Sequence, residues 1–207
     1  MDLSVIIPCY NLENYIAPLL TTLNSQNLFD YSVELIFVLD SCTDKTKKLI
    51  DRFLDGKQYA AVKMYTCEHR SPGLARNLGL EHATGDLVWF VDGDDWLIGE
   101  YALAKVIFEL SKAPNFNILR VQYVAPEYFQ ANGYYAMIWQ YVFRREYING
   151  LKFTDKFPYE DKEFMDQVIA KLDGAEIIEI QDKLYYYNYF REGSLLKDHI
   201  NALTSEE

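Results

Sequence analysis

The chain has 207 residues, 31 of them acidic and 20 basic, for a formal net charge of −11. That balance opposes contact with nucleic acid, whose phosphates it would repel, while 50% hydrophobic and 25% charged residues are ordinary for one globular domain. No apolar run approaches the roughly 20 residues of a membrane span, and the N-terminus lacks the basic segment and apolar core of a signal peptide, so a cytoplasmic protein is expected. Cys9, Cys42 and Cys67 are odd in number and form no C-x-x-C pair, which argues for reduced thiols over a disulfide framework or a zinc site.

Leu3 to Ile7 reads as a strand, and Asn14 to Gln26 as a helix with Pro18 in its first turn, where a missing N–H is tolerated. Val33 to Leu39 is a second strand. Thr43 or Asp44 can cap a helix carrying Leu49, Ile50, Phe53 and Leu54 on one apolar face, with Lys45, Lys47 and Lys48 on its solvated face. Ala61 to Thr66 is a third strand, Gly73 to Ala83 a helix, Leu87 to Val91 a fourth strand and Tyr101 to Lys112 an amphipathic helix. Strands alternating with helices predict a doubly wound, parallel α/β sheet. Beyond residue 113 the pattern is irregular, broken by Pro114, Pro126 and Gly133. Asn117 to Val124 and Trp139 to Arg144 read as strands, Glu160 to Leu172 as a helix with Phe164, Val168, Ile169 and Leu172 on one face, and Glu176 to Ile180 and Leu184 to Phe190 as final strands. The 17 tyrosines suit both half-buried packing and sugar stacking and decide nothing alone.

Leu87 to Val91 has no polar alternation, which suits a strand buried on both faces, and it runs directly into Asp92-Gly93-Asp94-Asp95. Carboxylates at the carboxyl end of such a strand lie where open α/β sheets bind ligands, and closely spaced acidic oxygens suit hard divalent cations. Asp and Gly after a strand are also ordinary turn residues, and Asp95 is placed to cap a helix beginning near Gly99. An EF-hand does not fit, because its glycine and final glutamate are missing at the required spacing after Asp92. On this stretch alone an aspartate-nucleophile phosphatase stays open.

Three further polar segments fall at the same edge: Pro8-Cys9-Tyr10-Asn11, Asp40-Ser41-Cys42-Thr43-Asp44 and Pro72-Gly73-Leu74-Ala75-Arg76-Asn77. With these the sequence resembles glycosyltransferase family 2 of the GT-A fold. Ser4 to Asn11 is similar to that family's opening, Gly73 to Gly79 to its A-R-N-x-G helix and Asp92 to Asp95 to its D-x-D motif. Glu160 to Phe164 is similar to its E-D-x-x-F motif, and Leu184 to Ser194 to its Y-x-Y strand with a following Ser. The resemblance, running from Leu3 to about Leu196, implies a Rossmann-like, mixed but mainly parallel sheet flanked by helices. It implies a donor-binding half over residues 1–112, a smaller, irregular acceptor-side half over 113–200 of the same domain, and a tail over 201–207.

For the site, the resemblance implies that Pro8, Tyr10, Asn11 and Glu13 line a nucleotide pocket, with Tyr10 against the base. Asp40 would accept from the base N–H, usually uracil, and Arg76 would lie near the diphosphate or brace the D-x-D loop. Asp92, with Gly93 beside it, would hold the ribose or donor sugar, and Asp94 would bind Mn²⁺ or Mg²⁺ bridging the diphosphate. Asp161 would be the general base, with Glu160, Arg191 and Ser194 as contacts to diphosphate or acceptor. The implied reaction is an inverting transfer from a nucleotide sugar, expected to be UDP-linked, to the hydroxyl of a glycan, glycolipid or other acceptor, without nucleic acid. Polysaccharide assembly and peripheral association with the inner membrane face are implied in the same way.

These roles are coherent chemically. A metal can neutralise the charge on a departing nucleoside diphosphate, and an acceptor hydroxyl is a poor nucleophile until a base takes its proton. One departure stands out: where the family carries D-G-S this chain has Asp40-Ser41-Cys42, losing the backbone freedom of glycine. The resemblance implies that Lys197 and His199, with Arg191 and Ser194, can close over the diphosphate, and His69 and His82 have weaker claims as ligands. A phosphatase leaves Pro8 to Asn11 and Asp40 unexplained, and a sugar nucleotidyltransferase would need a glycine- and arginine-rich loop after the first strand. A non-catalytic binding module of the same fold keeps every motif and stays open.

Overall fold

The computed structural model describes residues 1–126, 137–172 and 177–188. Strands β1 (Leu3–Cys9), β2 (Val33–Asp40), β3 (Ala61–Cys67) and β4 (Leu87–Phe90) lie parallel in the order β3-β2-β1-β4. Helices α1 (Ala17–Asn24), α2 (Thr46–Phe53) and α3 (Pro72–His82) connect them. After β4 come the short β5 (Trp96–Leu97), α4 (Ala102–Ser111), β6 (Ile118–Val124), β7 (Tyr141–Arg144), α5 (Glu160–Ile169) and β8 (Ile177–Tyr186). The sheet continues from β4 to antiparallel β7, then β6, then β8, which runs parallel to β6, with β5 antiparallel at its edge. This is the mixed, mainly parallel sheet expected from the sequence.

Alternation along each central strand feeds two cores. Leu3, Val5, Ile7, Phe37 and Trp89 pack with Leu19, Leu23, Leu103 and Val106 of α1 and α4, whereas Ile6, Ile36, Val38, Val88 and Phe90 pack with Ala75 of α3 and Phe164 and Val168 of α5. Leu87 to Val91 is therefore buried on both faces, each large side chain contributing about 1.5–3 kcal/mol. Where α3 meets the chain before α5 the backbones nearly touch: a Cβ on Gly73 would lie 2.4 Å from the Thr154 carbonyl oxygen. At the amino ends of the strands, buried Glu34 accepts from Ser4 Oγ (2.6 Å) and from the Thr84 N–H and Oγ1 (2.7 and 2.8 Å), and pairs with Lys63 Nζ at 2.6 Å.

Several elements differ from the sequence expectation. The first helix starts at Ala17 instead of Asn14, because the preceding segment is drawn to α2: Leu12 N–H donates to Thr46 Oγ1 (2.6 Å) and Glu13 N–H to Asp44 Oδ2 (2.8 Å). Asp44 does serve the start of α2, accepting from the Thr46 N–H at 2.9 Å. Asp95 does not cap α4. That helix begins at Ala102, and the Leu103 N–H donates to Gln26 Oε1 at 3.1 Å.

Ile138–Gln140 forms a 3₁₀ turn ahead of β7, so the strand expected from Trp139 starts only at Tyr141. The two strands expected at the end are one, β8, within the described residues; its exposed Gln181 to Lys183 interrupt the apolar pattern without ending the strand. Phe53 and Ile169, expected on apolar faces, are 52% and 54% exposed; the Arg52 guanidinium covers the Phe53 ring at 5.2 Å. Among the described residues no helix is long and apolar enough to cross a membrane.

Candidate active site

The carboxyl ends of β1, β2 and β3 share a backbone feature. Asn11, Ser41 and Arg70, which follow them, have φ of 47°, 54° and 53°, a left-handed conformation that costs a non-glycine residue about 1–2 kcal/mol. Hydrogen bonds hold each turn. The Thr43 N–H donates to Asn11 Oδ1 (2.8 Å), and the Ser41 N–H to the Cys67 carbonyl (2.8 Å). Asp40 is buried and gathers the loop after β3, Oδ1 accepting from the N–H groups of His69 (2.8 Å) and Arg70 (2.9 Å) and Oδ2 from that of Ser71 (2.8 Å). Ser41 thus adopts the glycine-like conformation despite its side chain.

Among the residues expected to line a nucleotide pocket, Tyr10 is 39% exposed at the mouth of this edge and Pro8 is half-buried. Asn11 and Glu13 tie the β1 and β2 loops together, Glu13 Oε2 accepting from the Lys45 N–H at 3.0 Å. Cys42 adds to this seam by donating to the Cys9 carbonyl at 3.2 Å, and the three cysteines are free thiols.

The Asp92 to Asp95 turn closes with the Asp95 N–H on the Asp92 carbonyl at 3.1 Å. It presses against the β1 loop so closely that a Cβ on Gly93 would sit 2.4 Å from Leu12 Cδ1 and 3.0 Å from the Pro8 carbonyl oxygen. The three carboxylates then part ways. Asp92 Oδ1 accepts from Arg76 Nη2 at 2.9 Å. Asp94 is half-buried, and its carbonyl accepts from Asn188 Nδ2 at 3.2 Å. Asp95 is 1% exposed, with Oδ2 accepting from the Tyr185 hydroxyl (2.6 Å) and Oδ1 from the Asn188 N–H (2.8 Å). Burial, and then the charges of Asp94 and Asp92, push the Asp95 carboxyl well above the usual range.

Arg76, on α3, is the hub. Its buried guanidinium donates from Nη1 to Asp161 Oδ1 and from Nη2 to Asp92 Oδ1, both at 2.9 Å, lies 3.7 Å from Glu160 Oε1, and stands over the Phe153 ring at 5.6 Å. Burial opposes its charge, but Asp161, Asp92 and Glu160 together hold its pKa above the ordinary value. Arg76 therefore braces the D-x-D loop against the start of α5.

Asp161 also accepts from the Ile138 N–H at 3.1 Å. Its position in the first turn of α5 favours ionisation, yet burial raises its carboxyl and the Arg76 charge only partly offsets this. For Glu160, burial and the neighbouring Asp161 push the carboxyl up to about 7. Glu160 Oε2 and Arg76 Nε are buried without a hydrogen-bond partner among the described residues.

No three His, Cys, Asp or Glu side chains among the described residues converge to hold a metal ion. An ion of the Mg²⁺ type, bound through one or two carboxylates and completed by substrate phosphates and water, would find its protein ligand in half-buried Asp94, since Asp92 is paired with Arg76 and Asp95 with Tyr185. Arg191, Ser194, Lys197 and His199 lie outside the described residues. Tyr185, Asn188 and Asp95 emerge as members of the site that spacing did not identify. The run Tyr185-Tyr186-Tyr187 marked the strand, without showing which hydroxyl turns inward.

The chain matches the family model described as Glycosyl transferase family 2 over residues 4–170. It is 30% identical over 212 residues to the poly(ribitol-phosphate) beta-N-acetylglucosaminyltransferase TarS of Staphylococcus aureus, a match covering 93% of this chain and 36% of that protein. It thus spans about a third of the length of that curated relative. In three dimensions it is similar to S. aureus TarS residues 1–349 in complex with UDP-GlcNAc, with a TM-score of 0.82 and 23% identity over 95% of this chain and 61% of that one. The mannosyltransferase PcManGT from Pyrobaculum calidifontis, in complex with GDP-Man and Mn²⁺, shares the fold with a TM-score of 0.72 and 21% identity over 93% of this chain and 58% of its own.

Proposed function

Because the chain belongs to glycosyltransferase family 2, we propose that it moves a sugar from a nucleotide donor, UDP-linked, to a hydroxyl acceptor, inverting the anomeric carbon. The observation that carries this reading is the Asp92–Arg76–Asp161 bridge, which joins the D-x-D loop to the E-D helix at the carboxyl edge of the sheet. Tyr10 offers an exposed ring for the base, and Asp40 Oδ2, which accepts one backbone hydrogen bond, keeps a second lone pair for a base N–H. Pro8 and Gly93, where the β1 and D-x-D loops meet, and Asn11 and Glu13, where the β1 and β2 loops meet, line the pocket, and Asp92 faces the ribose or donor sugar.

In the transfer, the acceptor oxygen bonds to the anomeric carbon as the bond to the diphosphate breaks, and Asp161 takes the hydroxyl proton. A carboxyl raised by burial is a better proton acceptor at neutral pH than an ordinary one. Asp94 would hold Mn²⁺ or Mg²⁺, whose chemistry is to neutralise the charge on the departing diphosphate. Glu160 and the residues at 191 and 194 complete the proposed contacts to diphosphate and acceptor. The bound UDP-GlcNAc of the TarS structure and the GDP-Man with Mn²⁺ of PcManGT support a nucleotide sugar and a divalent ion. The name of the TarS relative points to a polyol-phosphate or glycan polymer as acceptor, with work at the cytoplasmic face of a membrane the matching location.

Calorimetry with UDP, with and without Mn²⁺, and release of UDP from a panel of UDP-sugars test the reading together. Binding strengthened by Mn²⁺ and turnover of at least one donor are expected. Tighter binding of adenine nucleotides, or indifference to every nucleoside diphosphate, would overturn it.

A further inference from the structure

The D-x-D turn is held by side chains that arrive some ninety residues later. Tyr185, at the end of β8, accepts with its hydroxyl from the Asp92 N–H at 3.0 Å and donates to Asp95 Oδ2 at 2.6 Å. Three residues on, Asn188 donates its N–H to Asp95 Oδ1 at 2.8 Å and its Nδ2 to the Asp94 carbonyl at 3.2 Å. Every residue of the D-x-D-D stretch except Gly93 is thus fastened from the β8 side. The fastening is itself rigid. Tyr185 is fully buried and stacks on Trp139 at 4.5 Å with planes 5° apart. The carbonyl of Trp139 accepts from Nε1 of Trp89, the β4 residue three positions before Asp92, at 2.8 Å.

We propose that Tyr185 and Asn188 are positioning residues for the metal: by fixing the backbone of the Asp92–Asp95 turn they set where Asp94 presents its carboxylate, using Asp95 as an anchor that does not touch the ion. The inference rests on the metal-dependent reading above. The physical ground is that a loop's ligands keep productive geometry only if their backbone is held to about half an ångström. Outer partners of metal ligands typically alter affinity by 10–100-fold when removed. Tyr185→Phe keeps the ring and its stack while leaving the Asp92 N–H and Asp95 Oδ2 each short of a partner.

The test titrates UDP into the full chain by calorimetry, once in EDTA and then across a Mn²⁺ series. The proteins are wild type, Tyr185→Phe, Asn188→Ala and, as a control, Tyr186→Phe, whose ring stacks on Trp96, next to Asp95, at 4.1 Å and keeps that stack without its hydroxyl. For Tyr185→Phe the Mn²⁺ concentration that half-saturates the enhancement should rise about 10-fold or more, with UDP affinity in EDTA within about twofold of wild type. Asn188→Ala should shift the same quantity in the same direction by less, and Tyr186→Phe should leave it unmoved. An unchanged Mn²⁺ midpoint in both Tyr185→Phe and Asn188→Ala, or an equal loss of UDP affinity with and without Mn²⁺, overturns the positioning role. Should Tyr185→Phe fail to fold, Asn188→Ala, at a half-buried position, decides alone. If wild type shows no Mn²⁺ enhancement, the metal reading itself fails and the inference falls with it.

Discussion

Arg76 and Asp161 meet across 85 residues of chain, Nη1 to Oδ1 at 2.9 Å, and their contact fastens α5 to α3, while the other arm of the same guanidinium holds Asp92 in the loop that follows β4. One cation serves Asp92, Asp161 and Glu160 in a buried setting, so the arrangement depends on that single guanidinium. Arg76→Ala leaves these acids without their shared counter-charge and should destabilise the protein by about 3–5 kcal/mol. Arg76→Lys keeps the charge but not the fork that bonds two carboxylates at once, and should fall between. Urea unfolding measures both; a wild-type midpoint for Arg76→Ala would remove the bridge from the account.

Asp161→Asn retains the size of the side chain but turns its NH₂ group towards either Arg76 Nη1 or the Ile138 N–H, so it should cost about 1–3 kcal/mol while the protein still folds and binds UDP. Sugar transfer should drop by a factor on the order of 10² or more, the usual contribution of a general base. A well-folded Asp161→Asn protein that transfers sugar at a near-normal rate would assign the proton to another group.

Asp94 and Asp95 separate function from stability. Asp94→Asn should abolish the Mn²⁺ enhancement of UDP binding and cost less stability than Asp95→Asn, because Asp94 is half-buried where Asp95 is 1% exposed. Asp95→Asn places an NH₂ group against either the Tyr185 hydroxyl or the Asn188 N–H, and should cost about 1–3 kcal/mol. Thermal unfolding of the two variants side by side checks the order, and greater destabilisation by Asp94→Asn would reverse the assignment.

Two buried glutamates predict opposite pH slopes. Glu160 is pushed up to about 7 from an ordinary 4.5, so between those values the folded protein binds more protons than the unfolded chain, and stability falls as pH rises through that window. For Glu34, burial is outweighed by hydrogen bonds from Lys63, Ser4 and Thr84, which bring it down to about 2. Its contribution is full above pH 4.5 and is lost as pH falls towards 2. Glu160→Gln should lessen the slope between pH 4.5 and 7, to which the raised Asp161 and Asp95 carboxyls also contribute, and Glu34→Gln should lessen the acid slope, in unfolding free energies measured from pH 3 to 8. Identical profiles for wild type and Glu160→Gln would show that the carboxyl is not shifted.

The parts of the fold legible in the sequence are those where burial dictates residue type. Leu87 to Val91 announces a strand covered on both faces, and the alternation of strands and helices up to residue 112 follows from the same logic. The carboxyl-edge location of Asp40 and Asp92 follows from where the apolar runs stop. Two-residue β5 is too short to leave a pattern, and β8 hides its continuity because Gln181 to Lys183 face solvent. Asp95 illustrates the deeper limit. Local spacing offers a helix cap, but its partners Tyr185 and Asn188 are about ninety residues away, and the first turn of α4 is bonded by Gln26. Likewise, position on α3 alone would make Arg76 a surface cation; long-range packing makes it a buried brace.

The placement of β4 has a consequence for how the chain is made. β4 is paired with β1 on one side and with antiparallel β7 on the other, so during synthesis the edge of Leu87–Phe90 emerges long before Tyr141–Arg144 can cover it. A nascent chain paused after α4 would display an apolar strand with an open row of N–H and C=O groups, the kind of edge that recruits other strands. A chain cut after α4 would keep that edge of β4 permanently uncovered, because only β7 closes it.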